Sequence, residues 1–194
     1  MARTVLRGTL RYVWRRPLYV ANHTRECRSY TTSNLNNYQK FVLNLKHSKK
    51  SNTMETKERT IITVENTVDA PVEKVWEYWT KPDHISKWNH ASDDWHSPWV
   101  KVDFREGGHF VARMEAKDGS MGFDFGGVYD ILRPNQYIEY TIGDGRKVTV
   151  TFASVNKSTK VTESFEAEDM NSIELQRTGW QAILDNFKKY TEDN

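Results

Sequence analysis

A run of alternating segments that ends in one long helical pattern constrains this chain most. Between residues 98 and 167, six segments separated by short turns alternate polar with apolar residues, as half-buried strands do. From residue 171 the pattern becomes helical, with an apolar stripe that includes Trp180, Leu184 and Phe187. Since a sheet must cover its apolar face, and no other segment is as long, the pattern predicts a sheet packed on a C-terminal helix.

The segment before these strands predicts one further strand and two short helices. Residues 62–68 alternate as a strand does, and Pro71 suits the first position of a helix because its missing N–H needs no partner there. Pro82 ends that helix and begins a second, which runs to about Trp88. The expected fold class is therefore α+β: a curved antiparallel sheet of six to seven strands wrapped on a long C-terminal helix.

Two local patterns predict details of this fold. Gly126 and Gly127 interrupt the strand pattern, and two residues without side chains favour a bulge or sharp curvature. Asn171 is followed three residues later by Glu174, the spacing of a capping box at a helix start.

Charge is distributed unevenly along the chain. Residues 1–50 hold 11 Lys and Arg residues against one acid, Glu26, whereas the remainder holds 17 against 25 acids. The acidic body would repel phosphate backbones, which argues against nucleic-acid binding. The single cysteine, Cys27, excludes a disulfide within the chain and a zinc site with two cysteine ligands. No apolar run approaches the roughly 18–20 residues that span a bilayer, so an integral membrane protein is not expected.

The N-terminal segment has the composition of a targeting sequence. Arginines recur every four residues from Arg3 to Arg15, and residues 1–25 lack acids. Such an amphipathic, Arg-rich segment is typical of a mitochondrial transit peptide. The alternatives are a spurious or non-functional extension ahead of Met54 and an arm that binds a membrane surface or nucleic acid. We therefore divide the chain into a basic, largely disordered extension over residues 1–53 and a folded domain over 54–194. A genuine transit peptide predicts a mitochondrial location, and otherwise the location is cytoplasmic.

Several short motifs of the body resemble a known family when they are taken together and in order. They resemble the START-like, helix-grip superfamily and, within it, the family named for the C-terminal domain of the activator of the 90-kDa heat-shock protein ATPase. The resemblance spans roughly two-thirds of the chain. The matching segments are residues 69–76, Trp88, 104–108, 114–119, 127–129 and 179–187.

The resemblance implies a domain that holds a ligand between its sheet and its C-terminal helix. The preferred function is therefore a single-domain protein that binds a small hydrophobic, amphipathic or planar ligand. A protein-interaction module of the co-chaperone type, acting on the 90-kDa heat-shock protein, is the first alternative, and a polyketide-cyclase-like enzyme is the second. The full co-chaperone carries a separate N-terminal domain, whereas residues 1–53 show no pattern of a sheet or helix bundle. We therefore expect chaperone stimulation less than ligand binding.

Large apolar side chains supply the candidate site. Five tryptophans fall between residues 76 and 99, more than a minimal core needs. Aromatic rings form walls for hydrophobic or planar ligands, and the same rings would also fill the interior of a curved sheet. The candidate ligand-cavity residues are Trp76, Trp88, Met114, Phe123, Phe125, Tyr129, Tyr140, Phe152, Phe165, Trp180 and Leu184.

No metal or cofactor site is predicted. His84, His90 and His96 recur every six residues, whereas ligands on one helix are usually three or four apart. The sequence contains no nucleophile elbow, no arrangement of serine, histidine and aspartate for catalysis, and no phosphate-binding loop.

Two pairs of charged residues would provide acid–base chemistry if they faced a cavity. Glu115 and Asp124 lie on adjacent predicted strands, as do Asp103 and Arg113. Charges that alternate with apolar residues in an antiparallel sheet usually face water, however. We therefore name no catalytic residue and expect binding rather than catalysis.

Overall fold

The computed structural model describes residues 59–194, so the predicted extension over residues 1–53 lies outside the described residues. Within the described part, no helix is sufficiently long and apolar to cross a membrane. In this part the elements are β1 (Ile61–Val68), α1 (Val72–Thr80), α2 (Pro82–Trp88), β2 (Trp95–His96), β3 (Val100–Val102), β4 (His109–Ala116), β5 (Gly122–Arg133), β6 (Tyr137–Ile142), β7 (Lys147–Val155), β8 (Ser158–Glu166) and α3 (Ile173–Asp193).

All eight strands join one curled antiparallel sheet. Their order is β1-β8-β7-β6-β5-β4-β2, and β3 pairs with β4 beside β2. From β4 to β8 each strand pairs with the next along the chain, while β1 returns to pair with β8. The predicted α+β architecture, a sheet wrapped on a C-terminal helix, is confirmed. The additional strand is β2, whose two residues are too few to show an alternation in the sequence.

The strand irregularity predicted at the double glycine of β5 lies elsewhere. The register between β5 and β6 shifts between Tyr129 and Ile131, beyond the glycines. Gly127 instead allows close packing, because a Cβ atom there would overlap the carbonyl oxygen of Thr141 and lie 3.1 Å from the ring of Phe110. A side chain at this position would force neighbouring backbone to move.

The predicted capping box at the start of α3 is wrong, although the helix is capped. Ser172 is the N-cap residue, and its hydroxyl accepts a hydrogen bond from the backbone N–H of Leu175 at 3.2 Å. The side chain of Asn171 donates instead to the carboxylate of Glu168 at 2.7 Å.

One face of α3 covers the inner face of the sheet. Trp180, Leu184 and Phe187 are buried and recur at helical spacing. They join the inward side chains of β1, β6, β7 and β8 in a single core. The helix therefore closes one side of the space that the curled sheet encloses.

A second face of α3 follows the edge strand β1. Arg177 donates a hydrogen bond to the backbone carbonyl of Thr63 at 2.8 Å, and Gln181, one turn later, donates to that of Glu65 at 3.3 Å. These polar contacts fix the helix along the strand, while its apolar face packs inward.

Candidate functional site

A cavity lies between the sheet and α3 and is partly open to solvent. Its volume is about 90 Å³. A buried water molecule needs about 10–15 Å³ of such space, so the cavity has room for several waters or a small organic group. Seventeen residues line it, from all three helices, from strands β3 to β6 and β8, and from the loop after α2.

Aromatic rings from α1 and α2 form one end of the cavity wall. The rings of Trp79 and Trp88 lie 5.1 Å apart, and both meet Phe187 of α3 edge-on. The indole N–H of Trp88 donates to the backbone carbonyl of Tyr78 at 3.0 Å. This hydrogen bond and the ring contacts hold both indoles in place.

A second group of rings comes from the sheet. Phe110 of β4 lies 5.1 Å from the rings of both Tyr129 and Tyr140. Phe125 of β5 contacts Trp180 of α3 edge-on. The aromatic wall is therefore continuous from the sheet to the helix.

Glu163 of β8 places a carboxyl group in this apolar wall. Its side chain is buried, and the hydroxyl of Tyr140 donates a hydrogen bond to its Oε1 atom at 3.2 Å. Burial raises the pKa of Glu163 to about 8, and the hydrogen bond from Tyr140 offsets part of this increase. The carboxyl group is therefore mostly protonated at neutral pH.

The two tyrosines of the cavity also remain protonated. Burial and the neighbouring Glu163 raise the pKa of Tyr140 well above its ordinary value. Burial alone raises the pKa of Tyr129. At neutral pH the cavity therefore contains uncharged hydroxyl and carboxyl groups in an aromatic surrounding.

Comparisons with known proteins decide the family. The family model described as activator of Hsp90 ATPase homolog 1-like protein matches residues 69–192, more than half of the chain. The chain belongs to this AHSA1-like family. The resemblance inferred from the motifs is thereby confirmed.

Solved structures agree with this membership. The AHSA1-like protein from Aeromonas hydrophila is 43% identical and has a TM-score of 0.66, with 69% of this chain and 93% of that chain covered. Chr148 from Cytophaga hutchinsonii is 57% identical and has a TM-score of 0.61, with 69% of this chain and 92% of that chain covered. CV1439 from Chromobacterium violaceum is 24% identical and has a TM-score of 0.61, with 70% of this chain and 99% of that chain covered. This protein shares the fold. No curated protein matches the sequence.

In this AHSA1-like domain, most of the predicted site residues lie along the cavity. They come from α2, from β4 to β6 and from α3, so distant parts of the sequence meet at one wall. The seven are Trp88, Met114, Phe123, Phe125, Tyr129, Tyr140 and Trp180.

The other four predicted residues lie in the core beside the cavity and do not line it. Trp76 and Phe152 contact each other edge-on, with centroids 5.2 Å apart. Phe165 lies beneath the indole of Trp180, and Leu184 is completely buried. All four pack in or against the hydrophobic core.

Sequence reasoning missed Glu163. The signal was present, because Glu163 falls in phase with the buried residues Val161 and Phe165 along β8. We considered only charges that alternate with apolar residues, whereas Glu163 occupies a position in the apolar phase itself.

The charged pairs considered from the sequence do not line the cavity of this AHSA1-like domain. The guanidinium group of Arg113 bonds Glu115 at 2.7 Å and Asp124 at 3.1 Å. The carboxylate of Asp103 pairs with Arg105 at 2.9 Å. All of these side chains are at least 30% exposed, so their charges are solvated.

The three regularly spaced histidines have separate surroundings. The Nδ1 atom of His84 lies 2.9 Å from the hydroxyl of Tyr190, whereas His96 lies 3.9 Å from the carboxylate of Glu115. The backbone carbonyl of His90 accepts a hydrogen bond from α3. Among residues 59–194, no cluster of three His, Cys, Asp or Glu side chains could hold a metal ion.

Proposed function

We propose that this AHSA1-like domain binds a small hydrophobic or amphipathic ligand in the cavity between its sheet and α3. One observation carries the proposal: the cavity is walled by aromatic rings and contains a buried carboxyl–hydroxyl pair. The side chains around such a space lack the packing contacts that they would have in a filled core. A buried carboxyl group adds a further cost. A domain selected for stability alone would have filled this space with apolar side chains.

Methyl NMR spectroscopy tests whether the cavity accepts a ligand. Acetophenone and α-methylstyrene, two phenyl compounds of nearly the same shape, serve as probes. We expect saturable shifts at the methyl groups of Ala112, Met114 and Ile183, which line the cavity. Shifts spread evenly over the surface, or no shifts with either probe, would contradict the proposal.

A matched pair of variants separates the cavity from the surface. Ala112→Leu enlarges a side chain that is 3% exposed and lines the cavity. Ala153→Leu makes the same change at an exposed position of β7. We expect Ala112→Leu to reduce the affinity for both probes and Ala153→Leu to leave it unchanged. Native mass spectrometry of protein from its own source would then weigh the natural ligand.

A chaperone contact is the second candidate, since the family description names an activator of the Hsp90 ATPase. Trp99, Phe104 and Met121 are apolar side chains exposed by 36–41%. If they form a contact, the full chain should stimulate the ATPase of the 90-kDa heat-shock protein, and Trp99→Ala should reduce this stimulation. Absence of stimulation would argue against the contact. A mitochondrial site of action stays a prediction that depends on residues 1–53.

A further inference from the structure

We propose that the cavity selects an uncharged ligand with a hydrogen-bond-accepting oxygen, such as an aromatic ketone, and that Glu163 recognises this oxygen. The inference rests on the proposed function, because it names the ligand class of the same cavity. It comes from the charges of the wall, the protons of the Glu163–Tyr140 pair and the arrangement of the rings around that pair.

The charges of the wall argue against an anionic ligand. Of the seventeen described residues that line the cavity, Glu163 is the only acid, and none is a lysine, arginine or histidine. A carboxylate or phosphate head group would lose its hydration without gaining an opposite charge, which is strongly unfavourable. A fatty-acid or phospholipid head group is therefore a poor occupant.

The protonation of Glu163 and Tyr140 favours a ligand that accepts a hydrogen bond. A neutral Glu163 and Tyr140 carry one O–H group each, and their mutual hydrogen bond uses one of them. Whichever oxygen donates in that bond, one O–H remains available to a partner in the cavity, because both side chains line it. An ionised Glu163 would leave no spare donor and would suit a cation instead. Because burial favours the neutral acid, the pair offers one hydrogen bond to a ligand oxygen.

The rings around the pair favour a flat ligand body. Phe110 meets the ring of Tyr140 edge-on at 5.1 Å, and Phe125 meets Trp180 in the same way. Rings that present both edges and faces make favourable contacts with a further aromatic ring. A phenyl group with a carbonyl beside it therefore suits the chemistry of both parts of the wall. The cavity of about 90 Å³ is smaller than the closed cavity of about 150 Å³ that binds benzene, so part of such a ligand would lie in the opening to solvent.

Four phenyl probes test the ligand class. They are acetophenone, α-methylstyrene, in which a CH₂ group replaces the carbonyl oxygen, the cation benzamidine and the anion benzoate. At pH 6.5 we expect acetophenone to bind roughly 3- to 10-fold more tightly than α-methylstyrene, the effect of one net hydrogen bond. Both charged probes should bind more weakly than acetophenone. Equal affinities, or benzamidine as the tightest probe, would overturn this inference and leave the proposed function intact. If no probe binds, both fail.

The pH dependence of this preference identifies the group responsible. The preference for acetophenone should decrease between pH 7 and pH 9, as Glu163 ionises with a pKa of about 8. The other titratable groups that face the cavity are the hydroxyls of Tyr129 and Tyr140, from β5 and β6, and burial raises the pKa of both. They keep their protons over this range. A preference that is independent of pH would overturn the assignment to Glu163.

Variants of Glu163 have a matched control on the other face of the sheet. There Tyr137 donates a hydrogen bond to Glu139 at 2.7 Å, a second tyrosine–glutamate pair that does not line the cavity. Glu163→Leu should abolish the preference for acetophenone. Glu163→Gln retains an N–H donor and the side-chain shape, so the preference should persist but lose its pH dependence. Glu139→Gln should behave as wild type. A preference that survives in Glu163→Leu would refute the inference.

Discussion

The indole of Trp180 stacks on the ring of Phe165, with the two centroids 3.9 Å apart and the planes 13° from parallel. Trp180 belongs to α3 and Phe165 to β8, so this stack fixes the helix to the strand next to the edge strand β1. Another part of the same indole lines the cavity and meets Phe125 edge-on at 6.3 Å. One side chain therefore both stabilises the fold and forms the wall of the site.

Trp180→Ala should lower the free energy of unfolding by roughly 3–5 kcal/mol, because it removes a large ring from a packed position. Urea unfolding measures this loss, and the NMR titration with acetophenone should show weaker binding. Trp99→Ala is the control: Trp99 is 40% exposed, and its ring contacts the ammonium group of Lys101 at 5.4 Å. Trp99→Ala should lower the free energy of unfolding by less than about 1 kcal/mol. Equal losses in both variants would contradict this role of Trp180.

Glu163 should make stability depend on pH. Between its ordinary pKa of 4.5 and the native value of about 8, the native state keeps a proton that the unfolded chain releases. The contribution of Glu163 to the free energy of unfolding should therefore be fully present below pH 4.5 and decrease by roughly 3–5 kcal/mol as the pH rises to 8. The glutamine of Glu163→Gln cannot ionise, so this variant should lack the decrease that Glu163 causes. Glu139→Gln should keep it. Parallel curves for wild type and Glu163→Gln between pH 5 and 8 would refute the prediction.

Gly127→Ala should destabilise the domain by about 1–3 kcal/mol, because its Cβ atom would overlap the carbonyl oxygen of Thr141. Gly143→Ala provides the comparison, since the nearest atom to its Cβ would be 3.8 Å away. That variant should stay within roughly 0.5 kcal/mol of wild type. Thermal unfolding of both variants checks the difference, and a tolerated Gly127→Ala would show that β5 and β6 separate easily.

Ser172→Ala should cost about 1 kcal/mol, because the N–H of Leu175 loses the hydroxyl that accepts its hydrogen bond. Ser172→Asp should recover this loss, since a carboxylate can both accept the bond and interact favourably with the helix N-terminus. Chemical denaturation of the two variants provides the measurement. A loss in both would mean that the helix start depends on another contact.

The sequence predicted the strands well where the alternation was long and a turn marked each end. The six alternating segments between residues 98 and 167 correspond to the observed strands β3 to β8. The two-residue β2 and the Ser172 cap depend on local geometry that a short pattern does not specify. For the site, alternation identified inward side chains, but not which of them would face empty space. Phe165 and Trp180 both point inward, and only the placement of α3 puts the indole between the phenyl ring and the cavity.

The position of Glu163 could not be predicted from the sequence for a different reason. Its phase along β8 indicated an inward position, but an isolated carboxyl in an apolar core is unfavourable enough that the chemistry of the residue argued against it. The hydroxyl of Tyr140 resolves this conflict from two strands away, across β7. Such a partner becomes visible only when the strand order and register are known.

The contacts between α3 and β1 also bear on aggregation. An uncovered edge strand offers free carbonyl groups to which a strand of another molecule can pair. Here Arg177 and Gln181 already occupy the carbonyls of Thr63 and Glu65. The helix that closes the cavity thus also protects the β1 edge of the sheet from strand addition. Any loosening of α3 that admits a large ligand would at the same time expose this edge to self-association.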